Sequence, residues 1–526
     1  MPVLQTYNIS HHFDNGETLL QSLSCSMTEH RVGLVGRNGV GKSVFASILS
    51  GEILPSSGTV TRPGSFSWYR QQPSQFLSGQ RSIAQFLGID YTLKAIKHIE
   101  LGDCADHWFD EVNEQWELPA KLATQLKQMG LPHDPDFPCA LLSGGQLALL
   151  QLWQLFESDV ELLILDEPSN HLDSNSRQWL IRSMQAFKGA ILLISHDRTL
   201  LREMEEIWEL SELGLKAFGG NYDHYAEQKR KELHAVERQL ASVEKQKKNL
   251  ARQAQGNREK AEQRAAQGIK LRKAGSQPKM LLDAKKDKAT ARASSRSKNE
   301  QLRHDHLCEK EQTLITRKEQ VKTQKLHFSA GHSRSRNVIS MLEVVLPFGC
   351  DQPITLQVRA DDKVHLMGNN GSGKSTLLKT LMGELSVQAG ESRVNTPLYY
   401  LDQHFGAINP TLSLLDNLML KCAGIQESQA RTLLAGIGFR RDTVSRLGAM
   451  LSGGEKMKLA MLIVSHQPTQ PLLLLDEPDN HLDLTASNLL ARALHDYRGG
   501  FILVSHDLDF ALESGVVRQI DLDTNN

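Results

Sequence analysis

Two glycine-rich segments of this chain carry the residue types that bind phosphate groups. Their glycines let backbone N–H groups close around a triphosphate at the positive end of a helix. In each segment the lysine can then reach the outer phosphates, and the serine hydroxyl that follows can coordinate Mg²⁺. The segments are Gly36, Arg37, Asn38, Gly39, Val40, Gly41, Lys42 and Ser43, and Gly368, Asn369, Asn370, Gly371, Ser372, Gly373, Lys374 and Ser375. They predict two sites for a nucleoside triphosphate with Mg²⁺.

Paired carboxylates follow each of these phosphate loops at the end of an apolar run. Asp166-Glu167 ends one run of leucine and isoleucine, and Asp476-Glu477 ends the other. Asp166 and Asp476 can hold Mg²⁺ directly or through water, while the adjacent glutamates can polarise an attacking water. This combination of positioning and electrostatic stabilisation is what phosphoryl transfer requires.

Histidines and glutamines occur at corresponding places in both parts of the chain. His196 and His506 lie in Ser-His-Asp runs that end apolar strands, where an imidazole can contact the γ-phosphate. Gln71 and Gln403 end two further strands and can touch the metal and the water. Neither Ser-His-Asp run predicts a nucleophilic triad, because adjacent residues of a strand point to opposite faces.

A third shared motif completes an internal repeat of two α/β domains. It comprises Ser143, Gly144, Gly145 and Gln146 in the first part, and Ser452, Gly453, Gly454 and Glu455 in the second. The continuous apolar strands around it are typical of a parallel sheet covered on both faces. The predicted domains are residues 1–225 and 336–526, which form two P-loop nucleotide-binding domains, and a basic helical hairpin over residues 226–335.

The net charge of −1 hides a strong asymmetry along the chain. Residues 226–330 hold 27 Lys and Arg against 13 Asp and Glu, whereas the remaining residues hold 33 against 48. An excess of this size indicates a polyanionic partner for the segment. A solvated charged helix is the alternative, but residues 270–298 contain ten basic residues against only two acidic ones.

The same segment has the apolar spacing of two packed helices. Leu233, Val236, Leu240, Val243 and Leu250 follow coiled-coil spacing on the outgoing side. The returning seam steps by seven through Leu307, Leu314, Val321 and Phe328. A turn near Pro278 then predicts an antiparallel hairpin, whose outgoing helix of roughly 30 to 40 residues would reach about 45–60 Å.

Composition excludes several other classes of protein. The chain has 526 residues, 40% of them hydrophobic, which is typical of globular material. No apolar run approaches the roughly 20 residues that span a bilayer, and no secretory signal begins the sequence. The six cysteines are scattered, which favours a reducing cytosol and core thiols for most of them over disulfides or a zinc site.

Taken together, the motifs resemble those of the ABC-F family of tandem ATP-binding cassette ATPases. The Leu-Ser-Gly-Gly-Gln/Glu signature, the Asn-His-Leu-Asp continuation in both halves and the charged linker carry this resemblance over the whole chain. It implies two cassettes that close head-to-tail over two ATP molecules and hydrolyse them. The first site would combine Gly36–Ser43, Asp166 and Glu167 with the signature Ser452–Glu455. The second site would combine Gly368–Ser375, Asp476 and Glu477 with the signature Ser143–Gln146. Phe13 and Phe348 stand where the family places an adenine-stacking aromatic, although a core position remains the alternative.

The sequence departs from the family pattern at single positions. Val44 replaces a threonine whose counterpart Thr376 is kept in the second ATP-binding loop. Ser169 and Asp479 both replace the threonine of Glu-Pro-Thr-Asn-His, and Asp479 adds a negative charge. We therefore expect the two sites to be inequivalent. Extra length between Gln71 and Ser143 also predicts a modest insertion near residues 94–117.

The resemblance implies a cytoplasmic, monomeric ATPase that binds the tRNA exit region of the ribosome and reaches peptidyl-tRNA. Its action would be rescue of stalled translation or protection against an antibiotic. Two alternatives remain open: an ATPase that remodels nucleic-acid junctions, and the ATPase subunit of a membrane transporter. The residues expected to contact RNA are Lys270, Arg272, Lys273, Lys279, Lys285 and Lys286.

Overall fold

The computed structural model describes residues 3–13, 16, 18–70, 81–103, 105–170, 172–273, 298–299, 301–314, 337–402, 405–422, 424–467, 471–480 and 482–523. For residues 258, 265, 268 and 271–273 it describes the backbone alone. The chain divides into two compact units, Met1–Asp223 with Thr323–Asn526, and His224–Lys322. We call residues 1–225 the first half and residues 336–526 the second half, and these boundaries stay predictions.

A mostly parallel sheet forms the centre of the first half. Its order is β5 (Phe66–Tyr69), β6 (Leu162–Asp166), β7 (Ala190–Ile194), β3 (Arg31–Gly36), β8 (Glu206–Ser211) and β9 (Gly214–Gly219). Only β9 pairs antiparallel among the described strands of this sheet. Every residue of β6 and β7 is buried, as predicted for a sheet covered on both faces. The carboxyl ends of β3, β6 and β7 consequently meet at one edge.

A smaller antiparallel sheet covers part of this centre. Its order is β2 (Thr18–Met27), β1 (Leu4–His12) and β4 (Ser57–Thr61). Leu4, Ile9 and Leu23 from this sheet share one apolar core with Phe45 and with Ile164 of β6. This packing holds the helix that follows the first phosphate loop against the central sheet.

Helices complete the first half, and two of them form the predicted insertion. The helices are α1 (Lys42–Ser50), α2 (Ile83–Leu87), α3 (Asp90–Glu100), α4 (Asp106–Val112), α5 (Leu118–Gln128), α6 (Gly144–Phe156), α7 (Ser174–Ala186) and α8 (Arg198–Leu201). Ala95, Ile96 and Val112 of α3 and α4 form a small core of their own. The insertion is therefore a compact helical pair.

The second half repeats this arrangement. Its central sheet has the order β14 (Leu398–Leu401), β15 (Leu472–Asp476), β16 (Phe501–Val504), β12 (Lys363–Met367) and β17 (Arg518–Asp521). Its antiparallel sheet has the order β11 (Ile354–Arg359), β10 (Asn337–Val345) and β13 (Ala389–Val394). Its helices are α11 (Lys374–Leu381), α12 (Leu414–Lys421), α13 (Glu427–Gly436), α14 (Gly453–Ser465), α15 (Leu484–Asp496) and α16 (Leu508–Glu513). The predicted fold class, two nucleotide-binding α/β domains with a long helix between them, is confirmed.

The linker begins with one long helix, α9 (Tyr222–Lys273), of 52 residues. The expected length of roughly 30 to 40 residues was wrong, because the helix starts at Tyr222 and continues through Gly256. At 1.5 Å per residue it extends over about 78 Å. A returning helix, α10, is described over residues 301–314. None of the described helices combines the length and apolar character needed to cross a membrane.

The two linker helices pack along the predicted seams. Val236 and Val243 of α9 are buried with Leu314 of α10, and Leu240 and Leu307 pack against them. The Lys247 Nζ donates to Glu311 Oε2 over 2.6 Å beside this seam. The two helices are antiparallel, because residues further along α9 lie beside residues earlier in α10: Lys247 contacts Glu311, and Gln253 lies near Arg303. The predicted seam residues Val321 and Phe328 and the turn at Pro278 lie outside the described residues.

Core thiols were expected for most cysteines, and three of the five described ones lie in or against an apolar core. Cys139 and Cys422 are buried, but Cys25, Cys308 and Cys350 are half-buried. Cys25 lies on the same face of β2 as the buried Leu23 and Met27 and packs against the core of the first half. Cys104 lies outside the described residues.

Candidate active site

Each phosphate loop joins the end of a central strand to the start of a helix. The first connects β3 to α1 and the second connects β12 to α11. Gly41 and Gly373, just before the helices, have φ of 100° and 98°. This left-handed conformation is one that glycine adopts without steric cost. The backbone N–H groups at the helix starts are therefore available to an anion.

The two loop lysines fold back onto their own loops. Lys42 Nζ donates to the carbonyls of Gly36 over 2.8 Å and Arg37 over 3.2 Å. Lys374 Nζ donates to the carbonyls of Gly368 over 2.7 Å and Asn369 over 2.8 Å. Burial lowers the pKa of both ammonium groups, although nearby carboxylates oppose this. Both positive charges lie where the outer phosphates were predicted.

The predicted metal ligands of each half contact one another. Burial raises the pKa of Asp166 and Asp476, while hydrogen bonds from Ser43 and Ser375 respectively lower it. Tyr400 Oη also donates to Asp476 Oδ2 over 3.0 Å. A carboxylate and a hydroxyl leave most Mg²⁺ positions to water and to phosphate oxygens, which is the usual arrangement for this ion in nucleotide sites.

The two glutamates have the same unusual backbone. Glu167 and Glu477 have φ of 50° and 49°, a region that costs free energy for a residue with a side chain. Each peptide is held by its neighbouring strand, since Glu167 N donates to Ile194 O over 2.8 Å and Glu477 N to Val504 O over 2.9 Å. The strain is thus fixed at the point where a catalytic carboxylate is predicted.

A histidine lies beside each of these glutamates. His196 Nε2 is 3.5 Å from Glu167 Oε1, and His506 Nε2 is 3.4 Å from Glu477 Oε1. Burial, opposed chiefly by the charge of Lys42, raises the pKa of Glu167 to about 8. Burial also lowers the pKa of His196 well below its ordinary value, and Lys42 adds to this. The first site therefore pairs a neutral imidazole with a carboxyl group that readily holds a proton.

The signature motifs start helices α6 and α14. Ser143 Oγ accepts from Gln146 N while Gln146 Oε1 accepts from Ser143 N. Ser452 and Glu455 make the equivalent reciprocal pair, so both helices begin with a capping box. Burial would raise the pKa of Glu455, but hydrogen bonds from Ser452 and the charge of Arg446 lower it. The residues between, Gly144, Gly145, Gly453 and Gly454, form the first helical turns.

The loops of each half contact the other half within the larger compact unit. Asn38 N donates to Asp483 Oδ2 over 3.0 Å, and Asn370 N donates to Asp173 Oδ2 over 3.3 Å. Both aspartates are the last residues of the Asn-His-Leu-Asp motifs, where they cap α15 and α7. The first loop also lies near the second signature helix, α14. Burial lowers the pKa of Lys458 on that helix, and the charge of Arg37 on the first loop lowers it further. The halves are thus arranged head-to-tail.

A cavity of about 590 Å³ extends from the first loop into the second half. Lys42, Ser43 and Asp166 line it from one side, and Glu477 and His506 line it from the other. Phe13 also lines it and is 43% exposed, while Phe348 is 69% exposed, so neither is a core residue. The alternative of a core role for these two rings was wrong.

Five of the predicted site residues lie outside the part of the chain that the structure describes. Gln71 and Gln403 lie outside the described residues, as do Lys279, Lys285 and Lys286. Lys270 is exposed on α9, and only the backbone is described for Arg272 and Lys273. The roles assigned to the site residues stay predictions.

Sequence reasoning missed Arg177, Asp173 and Asp483. The two aspartates end the Asn-His-Leu-Asp motifs, so these motifs could have predicted them as site residues. Arg177 had no such signal, because its contacts are made with distant parts of the chain.

Comparisons with known proteins agree with this architecture. The family described as "ABC transporter" matches residues 20–170 and 352–480. The chain is 30% identical to the Putative ATP-binding protein YdiF of Bacillus subtilis (strain 168), over 97% of this chain and 78% of that protein. It is 28% identical to ABC transporter F family member 5 of Arabidopsis thaliana, over 94% of this chain and 71% of that protein.

A solved structure is similar in fold. It is the complex of archaeal ribosomal stalk protein aP1 and archaeal ribosome recycling factor aABCE1, with a TM-score of 0.55 at 17% identity. The match covers 98% of this chain and 87% of that one.

Proposed function

Because the chain belongs to the ABC-F family of ATP-binding cassette proteins, we propose that it is an ATPase acting on the ribosome. It binds two ATP molecules with Mg²⁺ at the facing surfaces of its halves and hydrolyses ATP to ADP and phosphate. The observation that carries the enzymatic part is the duplicated set of contacts: serine with aspartate, and glutamate with histidine, beside a phosphate loop.

In the first site, Asp166 and Ser43 would hold Mg²⁺, which supplies charge stabilisation to the triphosphate. Lys42 and the backbone N–H groups of its loop bind the outer phosphates. Glu167 accepts the proton of the attacking water. A general base works best with a pKa near the operating pH, and burial raises the pKa of Glu167 to about 8.

The second site uses Asp476, Ser375, Lys374 and Glu477 in the same roles. His196 and His506 orient the adjacent glutamates and contact the γ-phosphate. The signature helix of each half completes the site of the other, since α6 and α14 offer N–H groups at their starts. Thr376, the residue after Ser375, adds a hydroxyl to the second phosphate loop.

The enzymatic proposal predicts the behaviour of the double variant Glu167→Gln with Glu477→Gln. ATP binding should persist, because the glutamates are not phosphate ligands. Steady-state phosphate release should fall by about 10²- to 10⁴-fold, the usual contribution of a general base. Glu212→Gln, at an exposed glutamate of the first half, serves as the control. Undiminished hydrolysis in the double variant would refute the assignment.

The proposed target is the ribosome, in its tRNA exit region, with action in rescue of stalled translation or in protection against antibiotics. Two points support it: family membership, and the excess of positive charge over residues 226–330, with 27 Lys and Arg against 13 Asp and Glu. Such a segment binds phosphates without regard to sequence. Remodelling of nucleic-acid junctions is the second candidate, since it rests on the same charge.

Co-sedimentation separates the two targets. The double glutamine variant, held with ATP bound, is mixed in parallel with ribosomes and with branched DNA of equal phosphate concentration. Pelleting with ribosomes that requires ATP, together with weak binding to the branched DNA, is the expected result. Preferential binding to the branched DNA would replace the ribosomal proposal with the remodelling one.

A further inference from the structure

Arg177 connects the neighbourhoods of the two site histidines. It lies on α7 of the first half, and its side chain is 15% exposed. One guanidinium nitrogen, Nη1, donates to the backbone carbonyl of His506 in the second half over 2.6 Å. Another, Nε, is 2.8 Å from Oδ2 of Asp197, the residue after His196. The Nε–H is not aimed along this line, so the contact is an ion pair and not a hydrogen bond.

These contacts lie on a continuous path between the two catalytic glutamates. Glu477 contacts His506, whose carbonyl accepts from Arg177. On the other side, Asp197 follows His196, which contacts Glu167. Asp197 also fixes the start of α8, because its Oδ1 accepts from Thr199 N and Leu200 N. Arg177 thus joins the backbone of His506 to the residue that caps the helix after His196.

Among the described residues, this connection has no counterpart at the corresponding position of the second half. The internal repeat aligns Arg177 with Ser487 of α15, since both stand four residues after the motif aspartates Asp173 and Asp483. Ser487 is buried and lines the same cavity as Arg177, but its short side chain cannot span from one half to the other. In the described part of the chain, the first half thus supplies a cation at this position of the repeat and the second half supplies a serine.

We propose that Arg177 is a positioning residue that couples the two ATP sites through the His506 carbonyl and the Asp197 carboxylate. This inference rests on the proposed function, because the histidines must respond to bound nucleotide. Occupation of the second site would set the position of His506, and Arg177 would transmit that position to Asp197 and His196. A thermodynamic cycle measures this coupling.

The cycle compares ATP binding to both sites with binding to each site alone. All chains carry Glu167→Gln and Glu477→Gln, so that binding of radiolabelled ATP with Mg²⁺ is measured at equilibrium. Lys42→Ala and Lys374→Ala each leave one site, which a stoichiometry of one verifies. The coupling factor is the product of the two single-site dissociation constants divided by the product of the two stepwise constants of the two-site chain. Between linked sites such factors are typically about 5 to 150.

Arg177→Met retains the aliphatic stem and removes the guanidinium. It should lower the coupling factor by at least about threefold while changing each single-site dissociation constant by less than about threefold. Arg182→Met, at an exposed arginine of the same helix, is the matched control and should keep the parent factor. Arg177→Lys keeps the charge but can satisfy only one of the two partners, so its factor should fall between these values.

The inference is overturned if Arg177→Met keeps the parent factor, if the parent factor is already about 1, or if Arg182→Met loses coupling equally. If Arg177→Met does not fold, as judged by circular dichroism, Arg177→Lys decides, and an unchanged factor again overturns the inference. Failure of the proposed function would give a different result, because the parent chain would then bind no ATP at all.

Discussion

At the scale of single residues, the two halves share their predicted site residues and differ in the residues beside them. Asp479 is the clearest case, because the first half has Ser169 at this position. Ser505 Oγ donates to Asp479 Oδ2 over 2.8 Å, while Asp479 Oδ1 is buried and has no hydrogen-bond partner among the described residues. Burial, with the nearby charge of Asp507, raises the pKa of Asp479 to about 7.

Asp479→Asn should therefore stabilise the protein, and more so at high pH. An unfolded aspartate ionises near pH 4, so the folded chain binds more protons than the unfolded chain between about pH 4 and pH 7. The native carboxyl group consequently lowers stability as pH rises through this window. The free energy of unfolding of the variant should exceed that of the parent chain by nearly zero at pH 4 and by at most about 4 kcal/mol above pH 7.

Thermal denaturation without nucleotide, at pH 4.5 and at pH 8 (values chosen to bracket this window), measures the difference. Asp361→Asn, at an exposed aspartate of the same half, should change stability by less than about 0.5 kcal/mol at either pH. Equal gains at both pH values, or a loss at pH 8, would contradict a raised pKa at Asp479.

The sequence could predict those site residues whose partners are set by local motifs. Asp166 and Glu167 end a buried strand, and the Gly-rich turns place Lys42 and Lys374 at helix starts. Arg177 could not be found in this way, because the carbonyl that it binds is 329 positions away. The pKa of Asp479 depends in the same way on Ser505 and Asp507, which the fold brings to it.

At the scale of elements, hydrophobic periodicity predicted the linker hairpin and its seam. Val236, Val243 and Leu314 are buried as the seven-residue spacing required. Periodicity did not give the start of α9, because the seam begins only at Leu233, eleven residues after Tyr222. The start of a helix depends on the local turn that precedes it. Here Gly219 is the last residue of β9, and Gly220 lies between that strand and the start of α9.

Val243→Asp should disorder the hairpin. Val243 is 2% exposed between α9 and α10, so the substitution places an unpaired charge in an apolar seam, at a cost of several kcal/mol. Helicity measured by circular dichroism and protease resistance of residues 224–322 should both fall. ATPase activity of the larger compact unit should persist.

Ala241→Asp is the matched control, because Ala241 is exposed on the same helix. It should leave helicity and protease resistance close to those of the parent chain. Equal resistance of the Val243→Asp and Ala241→Asp chains would mean that the seam contributes little to the hairpin.

At the scale of the whole molecule, the two sites are repeats in different surroundings. Lys42 is close to Glu167, Asp483 and Asp166, and Val44 follows its loop. Lys374 has Asp523 as an additional acidic neighbour, and Thr376 follows its loop. Corresponding motifs therefore lie in unequal electrostatic environments.

Lys42→Ala and Lys374→Ala should consequently reduce ATP hydrolysis by unequal factors. We expect the two losses to differ by about tenfold, which corresponds to about 1.4 kcal/mol in the activation free energy. Steady-state phosphate release and ATP-dependent ribosome pelleting of both variants provide the comparison. Equal losses in both assays would show that Val44 and Asp479 have no functional effect.

We predict that residues 270–298, called the tip because the sequence predicts them at the end of the hairpin, act separately from the two halves. Ten basic and two acidic residues fall within residues 270–298, while the phosphate loops belong to the other compact unit. Replacing the six residues predicted to bind RNA by glutamine should weaken ribosome binding and flatten its dependence on salt. The slope of log K against log salt should decrease by about 0.7 to 0.9 for each phosphate that the variant no longer binds. The residues replaced are Lys270, Arg272, Lys273, Lys279, Lys285 and Lys286.

A control variant that loses the same number of positive charges elsewhere distinguishes the effect of the tip residues from the effect of the overall net charge. It replaces six exposed lysines of the two halves, namely Lys121, Lys127, Lys188, Lys216, Lys379 and Lys421. Long-range attraction changes equally in both chains, but only the tip variant lacks side chains that bind phosphates directly, so only its salt slope should fall by several units. Basal ATPase should survive in both, since neither set contains a predicted catalytic residue. If the tip variant kept its ribosome affinity and salt slope but no longer bound branched DNA, junction remodelling would become the better account of the basic hairpin.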